Sequence, residues 1–225
     1  MRTQEIIQRA QAAGETALSE FDSKQLLAHY GVQVCREILA SDVKAACGAA
    51  AEIGYPVVLK GCAPGLTHKT EGGLVIVGVT SEEDTIAAAG QLFEKMPAGG
   101  QVLVQEMVQG RRELMLGMKR DPQYGPCISF GLGGVFAEAL NDAALCLVPV
   151  STVEAAGMLD GIRAKAVLGP YRGMPPVDRG ALIEAIIGLS RIATEHSEIA
   201  EIDINPMIID GDRPVAVDAL VVLAT

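Results

Sequence analysis

The amino-acid sequence predicts an α+β fold, and three observations carry that prediction. Short apolar runs occur in neighbouring pairs joined by brief turns, which implies antiparallel strands. Capped stretches with apolar residues at helical spacing alternate with them, so helices pack outside the sheets. No repeat of fixed period and no low-complexity segment interrupts the pattern.

Taken in order, EIIQRAQAAG and SKQLLAHYGV read as helices, the second capped by Asp22 or Ser23 and stopped by Gly31. VQVCREILA is strand-like. SDVKAACGAAAEIG opens on a Ser/Asp cap, repeats small apolar residues at helical spacing and closes at Gly54. YPVVLK and GLVIVGV are short strands, separated by the loop GLTHKTEGGL. SEEDTIAAAGQLFEKM is a capped helix, QVLVQEMV a strand, and RELMLGMKR an alternating strand ending in the turn signal DPQYG. PCISFGLGG gives a strand and a glycine loop, ALCLVPVS another strand, and TVEAAGML a helix. The long helix DRGALIEAIIGLSRIATEH precedes two apolar strands, EIAEIDINPMIID and PVAVDALVVL, joined through DGDRP.

Composition narrows the function. At 225 residues and 49% apolar the chain buries a real core, as one domain or two closely packed lobes. Its 18 basic against 28 acidic residues give a net charge of -10, and no Lys/Arg block offers phosphates a track, so a nucleic-acid partner is not expected. The start, MRTQEIIQRAQ, has no apolar signal region and no later stretch is long enough to span a bilayer, so a cytoplasmic protein without a membrane partner is expected. Five dispersed cysteines without CxxC spacing indicate neither a disulfide framework nor a zinc site.

Candidate chemistry lies at strand ends and in glycine loops. Lys60 closes a buried strand, either as a surface lysine or as a point charge held out to a phosphate. Gly133 and Gly134 of GLGG let backbone N–H groups approach a phosphate, or simply make a tight loop; neither GxGxxG nor GxxxxGK[ST] is present. EIDINP at 201–206 places Glu201, Asp203 and Asn205 on one strand face, with Pro206 expected to end the pairing. Asp218 interrupts the apolar run of the return strand. A carboxylate there is costly without a cation, and Asp203, Asn205 and Asp218 form a hard-oxygen set suited to Mg²⁺. Glu106 and Glu113 bracket MVQGRR between two strands, where free backbone groups would read a purine edge and a carboxylate would accept ribose hydroxyls. His68 sits in a glycine-flanked loop, and imidazole is neutral near pH 7 and nucleophilic. His29 and His196, on and at the end of helices, read as structural.

Together these blocks resemble the ATP-grasp domain of the nucleoside-diphosphate-forming acyl-CoA synthetases, in particular the β subunit of ADP-forming acetyl-CoA synthetase, with succinyl-CoA synthetase β as a more distant relative. The resemblance runs from about Leu18 to the C-terminus through LSEFDSKQLLAHYGV, GYPVVLK, THKTEGG, VQEMVQGRRELMLGMKRDPQYGP, FGLGGVFAE, EIAEIDINP and AVDA. It implies an ATP-grasp fold over residues 1–225, with an N-terminal helix at 1–17 and α+β subdomains at about 18–104 and 105–225 holding a nucleotide between them. It also implies that Lys60 binds the phosphates, that Glu106, Met107 and Val108 read adenine through a hinge, and that Glu113 holds the ribose. Gly133 and Gly134 would line the phosphate end, Asn205 and Asp218 would hold Mg²⁺ with Asp203 beside them, and His68 would carry phosphate as a phosphohistidine. The chain departs from the family's pattern around His68, where CAPGLT replaces a Ser-Pro-Asp-Ile-type run and Leu74 takes a glycine's place.

The resemblance further implies ATP/ADP and Mg²⁺ as cofactors and a separate α subunit that carries the CoA-binding domains, in an α₂β₂ assembly. No G-x-G-rich CoA-binding unit is expected within these 225 residues. Two other readings are open: an ATP/ADP-binding regulatory module without phosphotransfer, and a stand-alone ATP-grasp carboxylate ligase.

Overall fold

The computed structural model describes residues 3–63, 72–97, 99–134 and 142–224. Its elements begin with α1 (Thr3–Ala12), α2 (Glu20–Ala28), β1 (Glu37–Ala40), α3 (Val43–Ile53), β2 (Val57–Cys62) and β3 (Val75–Val79). Then follow α4 (Glu82–Lys95), β4 (Gln101–Glu106), β5 (Glu113–Asp121), β6 (Gly125–Leu132) and β7 (Ala143–Leu147). The chain ends with α5 (Thr152–Gly161), α6 (Arg179–Glu195), β8 (Ile199–Asp210), β9 (Arg213–Ala216) and β10 (Leu220–Leu223). The elements form two compact units, Cys35–Met107, and Met1–Val34 with Val108–Thr225.

The smaller unit is a four-stranded antiparallel sheet, ordered β1-β4-β2-β3, with α3 and α4. Asp42 starts α3 by accepting the Ala45 N–H at 2.8 Å, and Ser81 starts α4 by accepting the Asp84 N–H at 3.1 Å. Ala46, Ala49 and Ala50 of α3 and Ala88, Ala89 and Leu92 of α4 bury against Val57, Leu59, Val102 and Val104. Each fully buried Val or Leu contributes about 1.5–3 kcal/mol.

The larger unit is a six-stranded sheet, ordered β10-β8-β5-β6-β7, with β9 paired to β8. Leu114, Leu116, Met118, Ile128, Phe130, Ile202 and Ile204 fill one face of it. They pack in one core with α5 and with the stripe Leu182, Ala185, Ile186, Leu189 and Ile192 of α6. Ile6, Ile7, Leu26 and Leu27 join that core, which is why the first 34 residues, split by the sequence reading between an N-terminal helix and a first subdomain, group with the larger unit. At Gly188 of α6 a Cβ would strike the Tyr30 carbonyl, so glycine is needed for this close approach.

Three local readings are corrected. The cap of α2 is Ser19, whose Oγ accepts the Asp22 N–H at 3.1 Å and donates to Asp22 Oδ2 at 2.8 Å; Asp22 is spent on this bond and on Arg9 at 2.7 Å. Pro206 does not end the pairing. Strand β8 runs through it to Asp210, and the register against β5 slips between Leu114 and Leu116, where a residue without an N–H fits a bulge. The return strand is not continuous either: residues 217–219 separate β9 from β10, and Asp218 lies in the gap.

Tyr30 ties the end of α2 to α6. Its hydroxyl donates to Glu195 Oε2 at 2.7 Å and lies 2.8 Å from His196 Nε2. Burial, and then the hydrogen bond and charge of Glu195, push the phenol up to about 12 from 10.0. The folded state therefore holds the phenolic proton more tightly than the unfolded state. The associated stability is complete below about pH 10 and is lost as the pH rises through about 12. Tyr30→Phe is expected to cost about 1 kcal/mol at pH 7 and to flatten the alkaline loss between those pH values, read from denaturant melts across the range.

Candidate functional site

In the smaller unit, strand β2 is buried along its whole length. Lys60 pairs with Leu103 on one side and Val75 on the other, and is only 6% exposed. It is neither a surface lysine nor the end of its strand, which continues through Gly61 to Cys62. At the end of β4, Glu106 is clamped by Arg36: its carboxylate accepts the Arg36 backbone N–H at 2.7 Å and Nε–H at 3.0 Å. The N–H of Glu106 donates to the Arg36 carbonyl at 2.9 Å, and that of Met107 to the Pro56 carbonyl at 3.4 Å. Met107 closes this unit, and Val108 opens the next stretch of the other.

In the larger unit the structure brings four candidates together. Asn205 Oδ1 accepts the Gly134 N–H at 3.0 Å, and the Gly133 N–H donates to the Glu113 carbonyl at 2.9 Å. Gly134 has φ +68, and a Cβ on it would collide with the Glu113 carboxylate; a Cβ on Gly133 would collide with the Leu114 carbonyl. The glycines are thus what allows the loop after β6 to lie against the first residues of β5. Glu113 and Gly133 also line a pocket of about 810 Å³ that Arg111, Arg112, Tyr171 and Arg172 help to wall. Arg112 is fixed there, donating to the carbonyls of Val167, Gly169 and Gly211 at 3.2, 3.4 and 2.8 Å. The result is a concave surface with basic side chains beside one carboxylate, on a protein whose net charge is -10.

Asp203 stands on β8 opposite Gly117 of β5 and Leu220 of β10. Its carboxyl is raised above the usual range mainly by burial, and further by the negative charges of Glu201 and Asp218. Glu201 has an exposed counter-ion in Lys119 at 3.0 Å, a pairing of small energetic weight. Among the described residues no group of three or more His, Cys, Asp or Glu is placed to hold a metal. A pair of mutually repelling aspartates with an Asn carbonyl nearby still fits Mg²⁺, which takes one or two protein carboxylates and draws its other oxygens from phosphates and water.

A family model for the ATP-grasp domain matches residues 9–223. The chain belongs to the ATP-grasp family. The expected fold is therefore borne out, with its α+β sheets and its six α-helices among the described residues. This ATP-grasp chain is 35% identical over 228 residues to the acetate–CoA ligase (ADP-forming) I subunit beta of Pyrococcus furiosus, covering 99% of this chain and 98% of that one. It is likewise 35% identical to the acetate–CoA ligase (ADP-forming) I of Archaeoglobus fulgidus, of whose length the match is 33%. Among solved structures it resembles the dinucleotide-forming acetyl-coenzyme A synthetase 1 of Ca. Korarchaeum cryptofilum, with a TM-score of 0.87, 36% identity and coverage of 99% and 100%. That structure holds coenzyme A and Mg-AMPPCP, and its phosphohistidine segment points towards the nucleotide-binding site.

His68 lies outside the described residues. Sequence reasoning missed the Arg36 clamp on Glu106 and the arginines of the pocket, because strand pairing and the turn at Gly211 bring these groups together from distant parts of the chain. Among the described residues no helix is long and apolar enough to cross a membrane. No disulfide joins the cysteines among the described residues.

The crowding at Gly134 makes a prediction. Gly134→Ala is expected to cost about 1–2 kcal/mol from its left-handed backbone, and to swing the Glu113 carboxylate aside. The expected reading is a thermal melt that is lower than the parent's and remains cooperative.

Proposed function

We propose that this ATP-grasp chain is the nucleotide-handling β subunit of an ADP-forming acyl-CoA synthetase, which interconverts acyl-CoA, ADP and phosphate with carboxylic acid, CoA and ATP. The observation that supports this reading is the meeting of Gly134, Asn205 and Glu113, in a chain that matches a named β subunit of such an enzyme almost end to end. An α subunit carrying the CoA-binding domains is its partner, in an α₂β₂ cytoplasmic assembly; the Archaeoglobus relative, about three times as long, is consistent with the two being fused in one chain.

In this reading Lys60 offers a fixed ammonium to the nucleotide phosphates, and the backbone at Glu106, Met107 and Val108 reads the base. Glu113 accepts the ribose hydroxyls. Gly133 and Gly134 line the phosphate end, with their own N–H groups engaged by the Glu113 carbonyl and Asn205 Oδ1. Asn205 and Asp218, with Asp203 beside them, would hold Mg²⁺, which when bound would neutralise charge on the phosphate oxygens. A ring nitrogen of His68 attacks the γ-phosphorus of ATP. The bond from that phosphorus to the β,γ-bridging oxygen breaks, ADP leaves, and the N–H proton of the ring is released. The reverse step makes ATP. The neutral imidazole suits both directions, since it is nucleophilic and forms a phosphoryl bond high in energy.

The test is to incubate the full chain and its α subunit with γ-labelled ATP and Mg²⁺, then locate acid-labile phosphate by mass spectrometry. Label on His68 is expected, with His68→Ala losing the label while still binding ATP. Bound nucleotide without label, in the presence of the α subunit, would leave a regulatory ATP-binding module instead.

Removal of repulsion at the cation site gives a further expectation. Asp203→Asn relieves a carboxylate held uncomfortably by burial and by Glu201 and Asp218. The variant is expected to melt higher than the parent in metal-free buffer, yet to gain less from added Mg²⁺ with ADP, as read by calorimetry.

A further inference from the structure

Helix α2 carries two buried charges that the proposed mechanism does not use. Lys24 is 0% exposed and Glu20 3%, and Lys24 Nζ donates to Glu20 Oε1 at 2.8 Å, one helical turn away. Stability alone is a poor reason for such a pair, because well-packed apolar residues of similar volume do as well or better. What the pair supplies is a cation at a fixed point, and its surroundings show what lies there.

Lys24 Nζ is 3.5 Å from the carbonyl oxygen of Val217, the residue before Asp218. The neighbouring Ser23, also fully buried, accepts the Val221 N–H on its Oγ at 3.2 Å. Just before the helix, the Leu18 N–H donates to the Val221 carbonyl at 2.9 Å. Beyond it, the Gln33 carbonyl accepts the Ala216 N–H at 2.8 Å. Asp218 falls in the gap between β9 and β10, where no strand ladder fixes the backbone. Its segment is held by the Val217 N–H, which donates to the Pro206 carbonyl of β8 at 3.2 Å, and by α2 and the residues flanking it.

We propose that Lys24 is a positioning residue for the divalent cation. Tethered by Glu20, it holds the backbone at Val217 and sets a positive charge one residue from Asp218, so that the Asp218 carboxylate is presented in one direction. The proposal rests on the reading of Asp218 as a cation ligand.

The experiment uses the full chain with Mn²⁺ as the probe, titrated by electron paramagnetic resonance in the presence of ADP. Lys24→Met leaves the Glu20 carboxylate buried without its cation and is expected to melt below the parent, to bind ADP alone unchanged, and to bind Mn²⁺ about 10–100-fold more weakly, the usual loss when a group orienting a metal ligand is removed. Glu20→Gln keeps the ammonium on a weaker tether and is expected to lose affinity in the same direction. It serves as the test if Lys24→Met does not fold. A folded Lys24 or Glu20 variant with the parent's Mn²⁺ affinity overturns the proposal. Asp218→Asn is the separating arm. If that variant keeps the parent's affinity, the cation-site reading itself fails. If it loses affinity while Lys24→Met does not, only the positioning role falls.

Discussion

Strand β8 has to satisfy two opposite environments along twelve residues, and the larger unit is arranged around that demand. Alternation sends Ile202 and Ile204 into the core at 1% and 0% exposure, while Glu201, Asp203 and Asn205 remain half-buried on the other face. A slip of one residue would exchange the two sets and bury three polar groups without partners. Pairing on both sides prevents the slip: β5 binds one edge in register from Lys119 opposite Glu201 to Leu116 opposite Ile204, and β10 binds the other. The polar face is therefore held as firmly as the core beneath it.

That firmness has an electrostatic cost. Holding Asp203 near Glu201 and Asp218 in a half-buried place disfavours its charged form, while Lys119 is committed to Glu201 at the exposed rim. In the proposed reading, a bound cation would relieve that cost. The cost is thus the counterpart of affinity, since repulsion relieved on binding adds to the binding free energy. The same economy governs the glycine loop. Side chains at 133 and 134 are excluded by Leu114 and Glu113, and the space kept clear lets the two N–H groups reach the Glu113 carbonyl and Asn205 Oδ1.

Much of this was legible in the sequence. The order of strands and helices followed from caps and alternation, because Asp42, Ser81 and Ser151 each precede a helix and accept its first N–H groups. The candidate site was legible as a set of blocks, and the meeting of Asn205 with Gly134 joins two of them. What did not show was anything decided by partners far along the chain. Pro206 looked like a strand end because a missing N–H is visible in sequence, whereas the bulge opposite Met115 that accommodates it is not. Lys60 looked exposed because nothing local reveals that its strand lies between two others. The 3₁₀ turn at Lys165–Leu168 lacks a side-chain cap and so gave no signal.

Two buried lysines, one in each unit, follow a common logic. An exposed lysine spreads its charge over many rotamers, and ordering it on a ligand costs up to about 2 kcal/mol of side-chain entropy. Burial removes that cost in advance, at the expense of desolvation, so a buried lysine is worth keeping where a charge must stand at one point. Lys60 is held by the strands on either side of β2, and the proposed reading gives it a ligand's phosphates to meet. Lys24 is held by Glu20 beneath a segment that has no ladder of its own. In the proposed reading the first fixed charge serves a ligand's phosphates, and the second steadies a segment of the protein that carries a cation ligand.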